Sequence, residues 1–321
     1  MITVLCANAG VDKTYEVPNF AAGGYYHPSA ASTVAGGKGI NVARVLKVLG
    51  QSHLVMGFAG GGNGRFINRY LIDEGFNTDF VQVAEESRVT INIIDQAQGT
   101  QTRVDELGPL VTPSEVRRLH STWRRHIQRA SLAVIAGSAP RGVNLEVYAE
   151  LVEAAHQREV PVIVDARDEL LARAVPARPT VMAPNLGELQ RLVERQLSVP
   201  DGVLEAATEL VDEGIRVVLV TLGARGAIAV TRSGGVWSAR PPEIERLSSV
   251  GSGDALVAGF AAASVQRKPF GERLRLGVAC GAANAETFGA CNVTVERIRE
   301  LLPEVEIERL DAAEGEDDAK Q

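Results

Sequence analysis

The 321-residue sequence carries 45% hydrophobic and 23% charged side chains, enough apolar material for a large core and too much for a disordered chain. A net charge of -7 at pH 7 repels polyanions and sets nucleic acid aside as a partner, and no apolar run approaches the roughly 20 residues of a membrane crossing. Cys6, Cys280 and Cys291 are odd in number and lack CxxC spacing, so they read as reduced thiols in small apolar slots. With no basic leader ahead of Ile2, the chain reads as cytoplasmic.

Along the chain, β-branched runs at 2–5, 53–58, 132–136, 160–165, 180–182 and 217–221 alternate with helical stretches. That alternation predicts an α/β fold, a doubly wound and mainly parallel sheet with helices on both faces. Stretches 15–34 and 88–106 break it and read as extended or hairpin segments, with 95–100 as a turn. They are expected to form a small separate β layer at the strand ends, with lid segments at about 11–35 and 88–108. Thr112-Pro113-Ser114-Glu115 combines a side-chain cap, a proline at the first helical position and a capping-box glutamate, predicting a helix to about residue 130. Arginines 117, 118, 124, 125 and 129 spread around that helix without interleaved aromatics, which is not a nucleic-acid pattern. The 227–238 stretch reads as one further hairpin. Residues 1–310 are expected to form one domain, and the acidic 311–321 a disordered tail.

Gly251-Ser252-Gly253-Asp254 leads straight into a helix of small and apolar residues. A glycine-rich turn at a helix start collects unpaired backbone N–H groups at one point, where the helix dipole also favours negative charge. Gly251, Ser252 and Gly253 are therefore a candidate anion hole, and Asp254 at its mouth is either a helix cap or a carboxylate with chemistry to perform. A second glycine-rich turn, Gly36-Gly37-Lys38-Gly39, precedes a helix with Val42, Val45, Leu46 and Leu49 on one face. Lys38, a cation among glycines, suits an anionic ligand; its alternative is an exposed turn lysine. Because Gly39 rather than Ser or Thr follows Lys38, this is not a Walker A loop. Asp12 follows the first strand, where open α/β sheets place ligands, although a lone aspartate there is as well a turn residue.

Taken together, Gly251-Ser252-Gly253-Asp254 resembles the second signature of the ribokinase-like (PfkB) carbohydrate kinases, and the segment from Gly36 to Asn41 resembles the first. The resemblance implies that Asp254 is the base that deprotonates the acceptor hydroxyl beside the anion hole. It implies that Gly37 lets the sugar approach the backbone while Asn41 bonds its hydroxyls. Within the family, the run from Asn8 to Asp12 is similar to the Asn-Pro-Ala-x-Asp of the 1-phosphofructokinase and tagatose-6-phosphate kinase branch, whose aspartate holds sugar hydroxyls; here Ala9 and Gly10 replace Pro-Ala. Ser87-Arg88-Val89 resembles that branch's Thr-Arg, giving Arg88 the substrate phosphate, with Thr90 where asparagine is usual. Gly137-Ser138-Ala139-Pro140 resembles Gly-Ser-Leu-Pro and makes Ser138 a substrate contact.

For the nucleotide, Asn185 and Glu188 match Asn-x-x-Glu, which organises Mg2+ through water beside the ATP phosphates; Ala183 stands where the branch commonly has lysine. Thr221, Gly223 and Gly226 fall in a loop that resembles the family's lining of phosphates and ribose, and Asn284 where the family borders adenine. The implied activity is ATP-dependent phosphorylation of a phosphosugar, foremost fructose 1-phosphate to fructose 1,6-bisphosphate, with Lys38 and Arg88 anchoring the existing phosphate. Tagatose 6-phosphate, fructose 6-phosphate and an unphosphorylated sugar are the alternative acceptors. Relatives also imply a homodimer through the β lid. A nicotinamide dehydrogenase is a poorer reading, since 60–65 lacks the third glycine in register. A noncatalytic sugar or nucleotide sensor is supported by the departures at Ala9, Thr90, Ala139 and Ala183, but opposed by the survival of Asp254 and Glu188.

Overall fold

The computed structural model describes residues 1–310; the acidic tail foreseen at 311–321 lies outside them. Its strands are Ile2–Cys6 (β1), Gly10–Glu16 (β2), Ala30–Gly36 (β3), His53–Gly60 (β4), Thr78–Val83 (β5), Arg88–Asp95 (β6), Thr100–Asp105 (β7), Leu132–Ala136 (β8), Val162–Asp165 (β9), Val181–Met182 (β10), Val217–Thr221 (β11), Ala227–Thr231 (β12), Val236–Arg240 (β13) and Glu306–Arg309 (β14). Its helices are Lys38–Val48 (α1), Gly61–Asp73 (α2), Pro113–Ile127 (α3), Val147–His156 (α4), Asp168–Ala174 (α5), Leu186–Leu192 (α6), Asp201–Asp212 (α7), Ser252–Val265 (α8), Phe270–Ala285 (α9) and Val295–Leu301 (α10).

The large sheet has the order β14-β13-β12-β11-β10-β9-β8-β1-β4-β5. It is parallel from β11 to β5, and antiparallel where β12, β13 and β14 extend it. Side chains alternate across it as period two requires. Leu132, Val134 and Ala136 join a core with residues of α1, α8, α9 and α10, while Ala133 and Ile135 face Leu119, Leu151, Leu171 and Leu210 of α3, α4, α5 and α7. Trp123 is fully buried on the second face and spends its indole N–H on the Leu151 carbonyl at 3.0 Å. The doubly wound sheet is thus the one that the alternating pattern predicted. The capping box at Thr112 is also present and starts α3, which ends at Ile127, three residues short of the expected boundary.

The two irregular stretches do form a separate sheet, of order β3-β2-β6-β7. Its strands differ from the expected limits: β2 starts at Gly10, and residues between Glu16 and Ala30 are irregular. β5 and β14, edge strands of the large sheet, went unanticipated because their short runs mix charged and apolar residues. Cys6, Cys280 and Cys291 are free and buried, as read from their spacing. No helix among the described residues is long and apolar enough to cross a membrane.

Candidate active site

Parallel strands direct their carboxyl ends to one side, so β1, β8, β9 and β11 deliver Asn8, Ser138, Asp165 and Thr221 to one rim. These residues line a single cavity of about 780 Å3 that also takes in Asp12, Arg88, Asn185, Glu188 and the start of α8. At that start Gly251 has a left-handed φ of 85°, which turns the chain abruptly into the helix and favours glycine. Space beside Gly253 is open, so an anion meets the backbone there without a side chain in the way.

Asp254, in the first turn of α8, is 4% exposed. Its Oδ1 lies 2.7 Å from Lys38 Nζ, and its Oδ2 accepts from Asn41 Nδ2 at 2.8 Å. Both partners come from α1, which is pressed onto β1 at Gly39: a Cβ there would stand 2.7 Å from the Leu5 carbonyl oxygen. Small size at Gly39 therefore sets the depth at which Lys38 and Asn41 enter the site. Lys38 also reaches Oδ2 of Asp165 at 3.0 Å. Burial opposes the charge on Lys38, but Asp165 and Asp254 outweigh it and hold the ammonium pKa above the ordinary lysine value. Burial pushes the Asp165 carboxyl up to about 6, with Lys38 pulling it back and Asp254 adding to the rise.

Under the small sheet, Arg88 donates through Nε to the Asn8 carbonyl at 3.0 Å and through one terminal nitrogen to Thr90 Oγ1 at 2.8 Å. Thr90 donates its own hydroxyl to Asp105 Oδ1 at 2.8 Å, so the unexpected threonine helps to aim the arginine. Arg103 joins Arg88 on the cavity wall. Asp12 sits beside them with Oδ1 buried and without a hydrogen-bond partner. Burial raises its carboxyl pKa, against the pull of Arg88, Arg103 and Arg44. A buried carboxylate oxygen left open beside arginines is suited to receive a ligand hydroxyl. Ser138 also faces the cavity and accepts from Asn8 Nδ2 at 3.2 Å.

Across the rim, Asn185 and Glu188 form a reciprocal capping box on α6, both bonds being 2.9 Å. One oxygen of Glu188 is used in that cap; the other has no hydrogen-bond partner among the described residues. A single available carboxylate oxygen beside an amide suits magnesium that keeps most of its waters. Among the described residues no cluster of three or more His, Cys, Asp or Glu could hold a metal. The donor set therefore fits an ion that arrives with phosphate ligands of its own. Thr221, Gly223 and Gly226 line this end of the cavity.

The family description "pfkB family carbohydrate kinase" matches residues 10–297. The chain belongs to that family. It is a carbohydrate kinase, 31% identical over 312 residues to the 1-phosphofructokinase of Bacillus subtilis (strain 168), covering 97% of this chain and all of that protein. A possible 1-phosphofructokinase from Thermotoga maritima superposes with a TM-score of 0.88 at 30% identity, covering 97% of this chain and 99% of that one. Escherichia coli phosphofructokinase-2, solved in complex with substrates and products, gives 0.87 at 29%, covering 95% and 98%.

In this kinase the structure brings Asp12, Gly37, Lys38, Asn41, Arg88, Ser138, Asn185, Glu188, Thr221, Gly223, Gly226 and Gly251 to Asp254 onto one cavity. Asn284 is the exception. It is fully buried behind the wall, donating to the Val250 carbonyl and Ser252 Oγ at 2.9 Å each and accepting from the Cys291 N–H at 2.6 Å. Its position pins the glycine turn from behind, whereas its neighbours Ala282 and Ala285 face the cavity. Sequence reasoning passed over Asp165 and Arg103. The signal for Asp165 was an acidic residue closing the apolar run Val162–Asp165, at the end of a parallel strand where ligands gather. The remaining glycine-rich helix start, at Gly61, is closed to anions because Glu86 already accepts from the N–H groups of Gly62 and Asn63 at 2.7 and 2.9 Å.

Proposed function

We propose that this kinase transfers the γ-phosphate of ATP to the free primary hydroxyl of fructose 1-phosphate, giving fructose 1,6-bisphosphate and ADP. The observation that carries the reading is Asp254: a buried carboxylate at the mouth of a backbone anion hole, in one cavity with the paired arginines 88 and 103. The names of the Bacillus subtilis and Thermotoga maritima relatives support fructose 1-phosphate as acceptor.

Asp254 takes the acceptor proton as the hydroxyl oxygen forms its bond to the γ-phosphorus, and the bond from that phosphorus to the β-γ bridging oxygen breaks as ADP leaves. The N–H groups of Gly251 and Gly253 receive the charge on the moving phosphoryl group, whereas that of Ser252, expected in the same hole, is donated to the Ser249 carbonyl at 3.2 Å. Lys38, expected from the sequence to anchor the sugar phosphate with Arg88, is salt-bridged to the base at 2.7 Å, and that pairing supports a role beside the moving phosphoryl group instead. Arg88, with Arg103, anchors the phosphate already on the sugar, and Asp12, Asn41 and Ser138 orient its hydroxyls. Magnesium beside Asn185 and Glu188 would neutralise the nucleotide phosphates when bound. The small sheet serves as the lid of a single kinase unit and as the contact of a cytoplasmic homodimer.

A coupled ADP-release assay against fructose 1-phosphate, tagatose 6-phosphate, fructose 6-phosphate, fructose and ribose tests the assignment. Fructose 1-phosphate is expected to show the highest kcat/KM, Asp254→Asn to lose about 10²–10⁴-fold in kcat, and Arg88→Gln to raise chiefly the sugar KM. Turnover confined to unphosphorylated sugars refutes the phosphate anchor, and full activity of Asp254→Asn refutes the base.

A further inference from the structure

Arg44 stands one helical turn beyond Asn41 on α1, on the same face, and has no part in the reaction outlined above. Its Nη1 donates to Asn41 Oδ1 at 3.0 Å, and its Nη2 donates to the carbonyl of Ala35 near the end of β3. Asn41 is buried and donates its Nδ2 to Asp254 Oδ2 at 2.8 Å. An amide has an acceptor end and a donor end of nearly identical shape, so position alone does not decide which one meets the carboxylate. The guanidinium decides it. With Arg44 on the oxygen, a flipped Asn41 would turn N–H groups toward a cation and an oxygen toward a carboxylate, leaving charged groups on both sides without their hydrogen bonds.

We propose that Arg44 is a positioning residue for phosphoryl transfer, locking the Asn41 amide so that its N–H holds one oxygen of Asp254 in place. The same guanidinium ties this lock to the small sheet. Ala35 lies opposite Val11 in the pairing of β3 with β2, next to the Asp12–Val34 pair, so the strand that carries Asp12 and the helix that orients the base share one anchor. The inference rests on Asp254 acting as the base. It extends that reading to a side chain that touches neither reacting atom.

The test is a double-mutant cycle on the full chain, with steady-state kinetics on fructose 1-phosphate and ATP. Arg44→Met keeps the aliphatic stem and removes the donors. It is expected to lower kcat by about 10-fold to 100-fold and leave the ATP KM within about twofold. In an Asn41→Ala background the same substitution should cost less than about twofold further, because the amide it orients is gone. Arg44→Lys, which returns one donor, should recover part of the loss. Equal losses in both backgrounds, or an unchanged kcat, overturn the proposal. If Arg44→Met does not melt cooperatively, the cycle is run with Arg44→Lys, where the same non-additivity is expected and additivity is again fatal. Wild-type turnover by Asp254→Asn would instead bring down the base assignment itself.

Discussion

Lys38 Nζ lies 2.7 Å from Asp254 Oδ1 and 3.0 Å from Asp165 Oδ2, so one ammonium is shared by two buried carboxylates, one at the end of β9 and one in the first turn of α8. Without it both carboxylates would lie buried with no cationic partner. The lysine thus fixes Asp254 Oδ1 in place, while Asp165 holds the lysine when an incoming hydroxyl claims the base.

Replacing Lys38 by Met should therefore act on catalysis and on folding together. The kcat is expected to fall about 10²–10³-fold, as for loss of a group that stabilises transition-state charge, and stability by about 3–5 kcal/mol because the carboxylates lose their partner. Adding Asp165→Asn to Lys38→Met should recover much of the stability and none of the rate. Thermal melting and ADP-release kinetics on the two variants check this; a lost rate with unchanged melting would contradict the shared-cation account.

Asp165 gives a pH signature with a definite sign. Its folded-state pKa, about 6, lies above the ordinary 3.8, so between those values the folded protein binds the extra proton. Its contribution to stability is therefore complete below about pH 3.8 and is lost as pH rises through about 6. Urea unfolding of the wild type and Asp165→Asn between pH 4 and 8 should show the wild type losing ground to the variant up to about pH 6, with a constant gap above. A gap that moves the other way would reverse the assigned cause, placing attraction by Lys38 above burial.

Glu188 has a structural duty and a metal duty that a single substitution separates. Gln also completes a capping box, so Glu188→Gln should change stability by less than about 1 kcal/mol, whereas Asn185→Ala removes the side-chain cap and costs about 1 kcal/mol. The lost charge in Glu188→Gln should raise the Mg2+ concentration for half-maximal rate by about 10-fold or more. Magnesium titrations of the initial rate, with melting curves alongside, separate the two duties. An unchanged magnesium requirement would leave Glu188 with its capping duty alone.

Much of this molecule is legible in its sequence. Periodicity announced the parallel strands, the alternating chain pattern their winding, and Thr112 the start of α3, because each of these depends on residues close together in sequence. Glycine turns flanking Lys38 and Asp254 were equally visible, since a bare backbone at a helix start is a local property.

Tertiary structure alone decided which of those groups meet. The Asn41–Asp254 hydrogen bond joins residues 213 positions apart, and the Lys38–Asp165 pair forms because β9 lies beside β8 in the sheet order. Arg103 counts as a cavity residue only through the register that sets it opposite Asn92, and Asn284 leaves the cavity only because α9 turns it inward against the glycine loop. Short-range rules dictate which way a backbone segment winds and which face it buries. Burial of charge, and the choice of partner that makes it tolerable, depends on strand order and helix approach, which no local stretch of residues contains.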